Sequence, residues 1–234
     1  MAIGTPVILA AAWSGTDASS YATATLSPAP RPGQVLVAFS DTSHGTLTAP
    51  ASTPTGLSVP WTLRGSQAHP TDVRRVFVHT APCGSAPVGG AVTFTMTGNT
   101  PSTGTGWAIL GIPGVDPTQP VARIVSASVN STSISVTLPQ PMAVNNRWLV
   151  FKSHRANEVT TPRANWAELS DVAGTSPTRA GQVQWLANTV TIAGALETAA
   201  SASWATSSQA SIIAVELRAA PNITRRRRAA ARLP

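Results

Sequence analysis

The chain has 234 residues, room for one large or two small domains, and 42% hydrophobic side chains, enough to build a core. Charged residues are only 11%, against roughly 25% in an ordinary soluble domain. Ser, Thr, Ala, Gly and Pro replace them, as in β-rich proteins whose hydroxyls satisfy turns and edges locally. The formal charge of +7 sits mostly in Arg225, Arg226, Arg227, Arg228 and Arg232, while residues 1–220 hold eleven basic and nine acidic side chains, a balance that excludes a basic nucleic-acid-binding body.

Short β-branched or alternating runs bounded by Gly, Pro, Asn or Ser predict strands from end to end, with almost no helix signal. Val7 to Trp13 is the first and Tyr21 to Leu26 the second. Gln34 to Phe39 follows the turn Pro30-Arg31-Pro32-Gly33. Trp61 to Arg64 is short, Arg74 to Thr80 sets Arg outward and Val or Phe inward, and Val92 to Thr97 alternates apolar residues with Thr. Trp107 to Ile112 is nearly all apolar, the pattern of a strand covered on both faces. The series then restarts with Val121 to Val129, Ser133 to Leu138, Arg147 to Lys152, Trp166 to Leu169, Gln182 to Ala187, Ser201 to Thr206 and Ala210 to Leu217.

The two series match in order and nearly in spacing. Tyr21 to Leu26 aligns with Ser133 to Leu138, and Val35-Leu36-Val37 with Trp148-Leu149-Val150. Trp61-Thr-Leu63 aligns with Trp166 to Leu169, and Trp107 to Ile112 with Ile212 to Leu217. This agreement predicts a degenerate duplication of a seven-strand unit, with Trp61 falling on Trp166 and Leu36 on Leu149. The joint, Gly111 to Pro120, holds three prolines and two glycines, which stop a strand and hold a stiff connection. From Pro221 onward no apolar alternation remains, so residues 221–234 form an Arg-rich extension.

The residues that carry chemistry are sparse. The acids are Asp17, Asp41, Asp72, Asp116, Glu158, Glu168, Asp171, Glu197 and Glu216. They are scattered, most of them in predicted loops, and no close pair shares a strand face as general acid/base work would need. Two carboxylates brought together from distant loops would revive glycoside cleavage. His44, His69, His79 and His154 show no metal-ligand spacing, which predicts no metal site and no cofactor. Asp41 and His44 fall in the predicted loop after one strand and His154 in the matching loop of the second series. Cys83 has no disulfide partner and stands in a turn-like segment, where it reads as an incidental loop thiol. No nucleophile elbow or phosphate-binding loop is present. Trp61, Trp107, Trp148, Trp166, Trp185 and Trp204 sit beside apolar residues and are assigned to the core. No run approaches the roughly 20 apolar residues of a membrane span, and Ile3 to Trp13 lacks the positive leader of a signal peptide.

Several short motifs stand together: Arg31-Pro-Gly-Gln-Val-Leu-Val37, Trp61-Thr-Leu63, Arg75-Val-Phe77, Val92-Thr-Phe-Thr95, Trp107-Ala-Ile109 leading into Gly114-Val-Asp116, and Ala210 to Arg218. Over residues 5–220 this pattern resembles β-sandwich virion proteins of tailed phages of actinobacteria, described as minor tail or other structural proteins. The resemblance implies a virion component with no catalytic residues to carry over, and it does not include the basic tail.

The expectation is an all-β protein, an antiparallel β-sandwich of jelly-roll or Ig-like character, built from two related seven-strand halves at residues 1–115 and 116–220 with a basic tail at 221–234. It is expected to be non-enzymatic, made in the host cytoplasm and built into a virion as a minor tail or capsid decoration protein. Its expected partners are other virion proteins and copies of itself, with Arg225, Arg226, Arg227, Arg228 and Arg232 as contact residues for a protein partner and nucleic acid as the competing one. A carbohydrate- or host-surface-binding module is the first alternative, favoured by an exposed Trp in a groove near Asp or Asn. A glycan-degrading enzyme is the second.

Overall fold

The computed structural model describes residues 2–46, 48–71, 73–97, 101–175, 178–185 and 197–221, so the Arg-rich tail lies outside the described residues. Among these the chain forms fourteen strands and no helix. They are β1 (Val7–Ser14), β2 (Ser20–Ala22), β3 (Gln34–Ser43), β4 (Ala51–Thr55), β5 (Thr62–Ala68), β6 (Arg74–Pro82), β7 (Thr93–Thr97), β8 (Gly104–Pro113), β9 (Val121–Thr137), β10 (Arg147–His154), β11 (Thr161–Pro162), β12 (Ala167–Thr175), β13 (Thr178–Trp185) and β14 (Ala199–Leu217).

All pairings are antiparallel, in sheets that pack as a β-sandwich. One five-stranded sheet has the order β1-β8-β3-β6-β5, and a three-stranded sheet, β2-β7-β4, covers one of its faces. In the other part of the chain the long strands β9 and β14 each serve twice. Over Ser208–Leu217, β14 lies between β9 and β10, giving the order β9-β14-β10-β13-β12. Over Ala199–Ser203 it lies between the end of β9 and β11. Even the irregularities correspond: β5 shifts register between Leu63 and Gly65, β12 between Glu168 and Ser170. Trp61 and Trp166 each stand one residue before these strands.

The period of two along each strand divides three cores between the layers. Between the two five-stranded sheets lie Val35, Val37, Phe39, Val78 and Leu110 from one side and Leu149, Phe151, Val183, Ile213 and Val215 from the other. Phe39 stacks on Phe151 at 5.1 Å between centroids, 11° apart in plane. Behind the first sheet, Leu36, Ala38 and Ile109 pack on Tyr21, Phe94 and Met96 of the small sheet. Behind the second, Trp148, Val150 and Ile212 pack on Ile134, Val136, Trp166 and Trp204. Trp13 closes one margin of the central layer. Its indole lies against Gly174, where an added Cβ would overlap the ring, and against Gly106.

Several expectations are corrected. Among the described residues the strands number eight up to Pro113 and six from Val121 onward, where seven and seven are expected. β4, with Pro54 in its middle, and the two-residue β11 were not predicted, and four strands expected after Val121 are fused pairwise into β9 and β14. Leu36 does not fall on Leu149: Leu36 faces the small sheet and Leu149 the central layer, a one-residue offset that exchanges the faces. β6 is buried on both faces rather than alternating, because sheets or loops cover both.

Candidate functional site

A concentration of titratable groups, Lys152 and His154 buried with Glu168 and Asp171 beside them, lies on the outer face of β10, β13 and β12. Alternation puts Trp148, Val150, Lys152 and His154 on that face of β10, and pairing sets Gln182 between Lys152 and Asp171. Lys152, the single lysine of the chain, is 0% exposed, as is His154.

Thr160, in the segment leading to β11, is the hub. Its hydroxyl accepts a bond from Lys152 Nζ and lies 3.2 Å from His154 Nε2. Its N–H donates to Asp171 Oδ2 at 2.9 Å, and its carbonyl accepts from Gln182 Nε2 at 2.6 Å. Gln182 Nε2 also reaches Glu168 Oε2 at 2.7 Å, and Gln184 Nε2 donates to Gln182 Oε1 at 2.6 Å. Trp204 covers the cluster, stacked on His154 at 4.6 Å and 5.2 Å below the Lys152 ammonium.

Burial governs the electrostatics. Desolvation pushes Lys152 down to about 7, with Asp171 and Glu168 opposing. Desolvation, reinforced by Lys152, pushes His154 down to about 3. An amine that loses its proton near neutrality is a nucleophile in principle. Here, however, Nζ is engaged by the Thr160 hydroxyl and lies over the Trp204 ring, and the three cavities described below are lined by other residues. The space between Glu168 and Asp171 is likewise filled, by Gln182 and Thr160. The network fixes the 155–162 segment onto the sheet.

The other predicted residues are dispersed. Asp41 and His154 lie inside β3 and β10 rather than in loops, because both strands run further than their apolar cores. Asp41 accepts a bond from Ser153 across the central layer. Glu216 is held by Arg123 and by Asn146 Nδ2 at 2.7 Å. Glu197 pairs with Arg163 at 3.1 Å, and Asp116 accepts from Thr118 N at 2.9 Å. Glu158 accepts from the N–H groups of Ala205 and Thr206 at 2.8 and 2.9 Å. Asp72 lies outside the described residues. His69 and His79 are buried and His44 is a surface loop residue. Among the described residues no group of three His, Cys, Asp or Glu is placed to hold a metal ion. Cys83 is not an exposed loop thiol: it is buried, and burial pushes the thiol up to about 11, where it is inert.

Trp107, Trp148, Trp166 and Trp204 are core residues as expected; Trp61 is half-buried, and the side chain of Trp185 is outside the described residues. Trp13 and Asp41 line one slot, but its volume is about 10 Å³, the space of a single water. Two open grooves are larger: about 470 Å³ beside Arg123, Asn146 and Arg218, and about 270 Å³ beside Ser133, Ser201 and Arg163. Neither contains a tryptophan. No helix of the described chain is long and apolar enough to cross a membrane.

The Lys152 cluster was not singled out from the sequence, although a signal existed. The sole lysine sits an even number of residues from Trp148 and Val150 in an apolar run, so period-two reading places it indoors. Comparisons with known protein families, with curated proteins and with solved structures find no match.

Proposed function

We propose that the chain is a non-enzymatic structural protein of a tailed-phage virion, a minor tail or capsid decoration protein that works by protein–protein assembly. The observation that carries this reading is where the polar chemistry goes. The buried titratable groups face other protein groups and brace one layer against the next, while the exposed positions of β7 and of β9 from Ser126 to Thr137 are uncharged and mostly Ser and Thr. Such a molecule offers shape and strand edges, not a reaction centre. The motif pattern from Arg31 to Arg218 supplies the virion part of the proposal.

The fold reading goes further. The order β1-β8-β3-β6 in one sheet and β2-β7-β4 in the other supports a jelly-roll reading for seven of eight strands, with β5 placed beside β6 instead of beside β4. We read the second part as a diverged copy in which β9 corresponds to β1 plus β2, and β14 to β7 plus β8. Support comes from the repeated strand order, the matching register shifts of β5 and β12, and the paired Trp61 and Trp166. The two rolls pack through their five-stranded sheets, with Phe39 and Phe151 as equivalent residues at the centre.

Labelling of purified particles with an antibody against the chain tests the proposal. Labelled heads or tails are the expected result. Particles that lack the chain, or hydrolysis of a host polysaccharide by the purified protein that is lost with one acid, would overturn it.

A further inference from the structure

We propose that the edge of β9 left unpaired among the described residues pairs antiparallel with β9 of a second copy of this chain, joining two molecules into a two-fold dimer through continuous sheet. The inference deepens the assembly role and rests on it.

An open sheet edge presents unpaired N–H and C=O groups and invites another strand, so folded proteins blunt their edges with charge, proline, bulges or short length. Among the described residues every edge carries at least one such device, and β9 the fewest. β5 carries Arg64 and a register shift, and β12 carries Glu168, Asp171 and a register shift. β1 is shifted between Ile8 and Ala10, and Leu9 accepts a backbone bond from Ser27 at its outer side. β2 is three residues long, β4 contains Pro54, and β11 is two residues long and ends in Pro162. β9 carries the fewest: among the described residues it pairs only with β14, in a register that shifts between Ser131 and Ser133, and its fourteen residues from Ile124 to Thr137 include no charged residue, no proline and no glycine.

The same strand is complementary to itself. Residues 126, 128 and 130 are exposed in its first stretch and 133, 135 and 137 in its second, with buried Ile134 and Val136 between. A two-fold axis between Asn130 and Ser131 therefore sets Ser126 against Ser135 and Ser128 against Ser133 of the other copy. On the opposite face it sets Val125 against Val136 and Ala127 against Ile134. Hydroxyls meet hydroxyls and apolar groups meet apolar groups, with no like charges opposed. A second copy satisfies this register by construction, whereas an unrelated strand would have to match both stretches.

Sedimentation velocity of the purified full-length chain from about 1 to 100 µM reads the association directly. The expected result is a concentration-dependent doubling of mass. Hydrogen exchange on the unaltered chain should show protection rising with concentration in 124–137 and not in β5 or β12. In the Ser128→Lys, Ser133→Lys double variant, lysines face each other across the two-fold axis. Its dissociation constant should rise at least about tenfold, with the thermal midpoint within a few degrees of the parent. A chain that stays monomeric throughout, a variant that still dimerises, protection at another edge, or open-ended polymers would each overturn the proposal. A monomeric chain nonetheless present on purified particles would sink the β9 pairing alone; a β9-paired dimer absent from particles would sink the virion role alone.

Discussion

Replacing Lys152 with Met should stabilise the protein at neutral pH. In the unfolded chain the ammonium keeps its ordinary value of 10.5, and burial lowers it to about 7 in the fold. At roughly 1.4 kcal/mol per pKa unit, holding the charged form indoors costs about 5 kcal/mol. The sign follows from proton binding. The unfolded state binds the proton more tightly, so the full penalty applies below about pH 7 and fades as pH rises toward 10.5. Urea denaturation of the parent should therefore show stability climbing by about 1.4 kcal/mol per pH unit between about pH 7 and 8.5. Measurement stops there because Cys83, with its thiol raised to about 11, acts in the opposite sense above its ordinary 9.0. The methionine forfeits the bond to Thr160 and the contact with Trp204, so the net gain at neutral pH should be about 1–4 kcal/mol. The Lys152→Met profile should be flat over the same range, and the two curves should converge as pH rises. A flat parent profile, or a methionine variant less stable than the parent by more than about 2 kcal/mol, would refute the reasoning.

Gly174→Ala should force the Trp13 indole off β12, costing about 1–3 kcal/mol and red-shifting tryptophan emission; combining it with Trp13→Ala should cost little more than the larger single change. Phe151→Ala removes the partner of Phe39 from the central layer and should cost about 3–5 kcal/mol by chemical denaturation. His79 is buried in β6 and its value falls from 6.5 to about 4, so the unfolded chain takes up the proton first. Stability should fall as pH drops from 6.5 toward 4, and His79→Leu should lessen that slope in a denaturation series against pH.

Much of the strand content was legible because period-two alternation survives in the exposed strands. What failed did so for physical reasons. Ser131 and Thr132 look like a turn between two strands, yet in the fold they are the point where one continuous strand passes from the inner layer to the outer. Ala51–Thr55 holds Pro54 and no bulky residue, so nothing in its composition announces β4. The match of Val35-Leu36-Val37 to Trp148-Leu149-Val150 aligned residues that face different layers, because runs apolar on both faces carry no mark of which face is which. The Thr160 hub joins residues from three separated stretches by hydrogen bonds, and such long-range pairing leaves no local pattern to read.

The position of β14 sets how the molecule bears load. Its last residue, Leu217, sits near the joint, with Ala220 bonded to Gly114 and Arg218 to Pro120. A pull directed along the axis of β14 acts on a strand flanked from Ser208 to Leu217 by β9 on one side and, from Ala210, by β10 on the other. The ladders on both sides are then strained together in shear, and none can be peeled open one bond at a time. A chain tethered through its C-terminal end would thus transmit tension into its most heavily bonded strand and resist extraction as a unit.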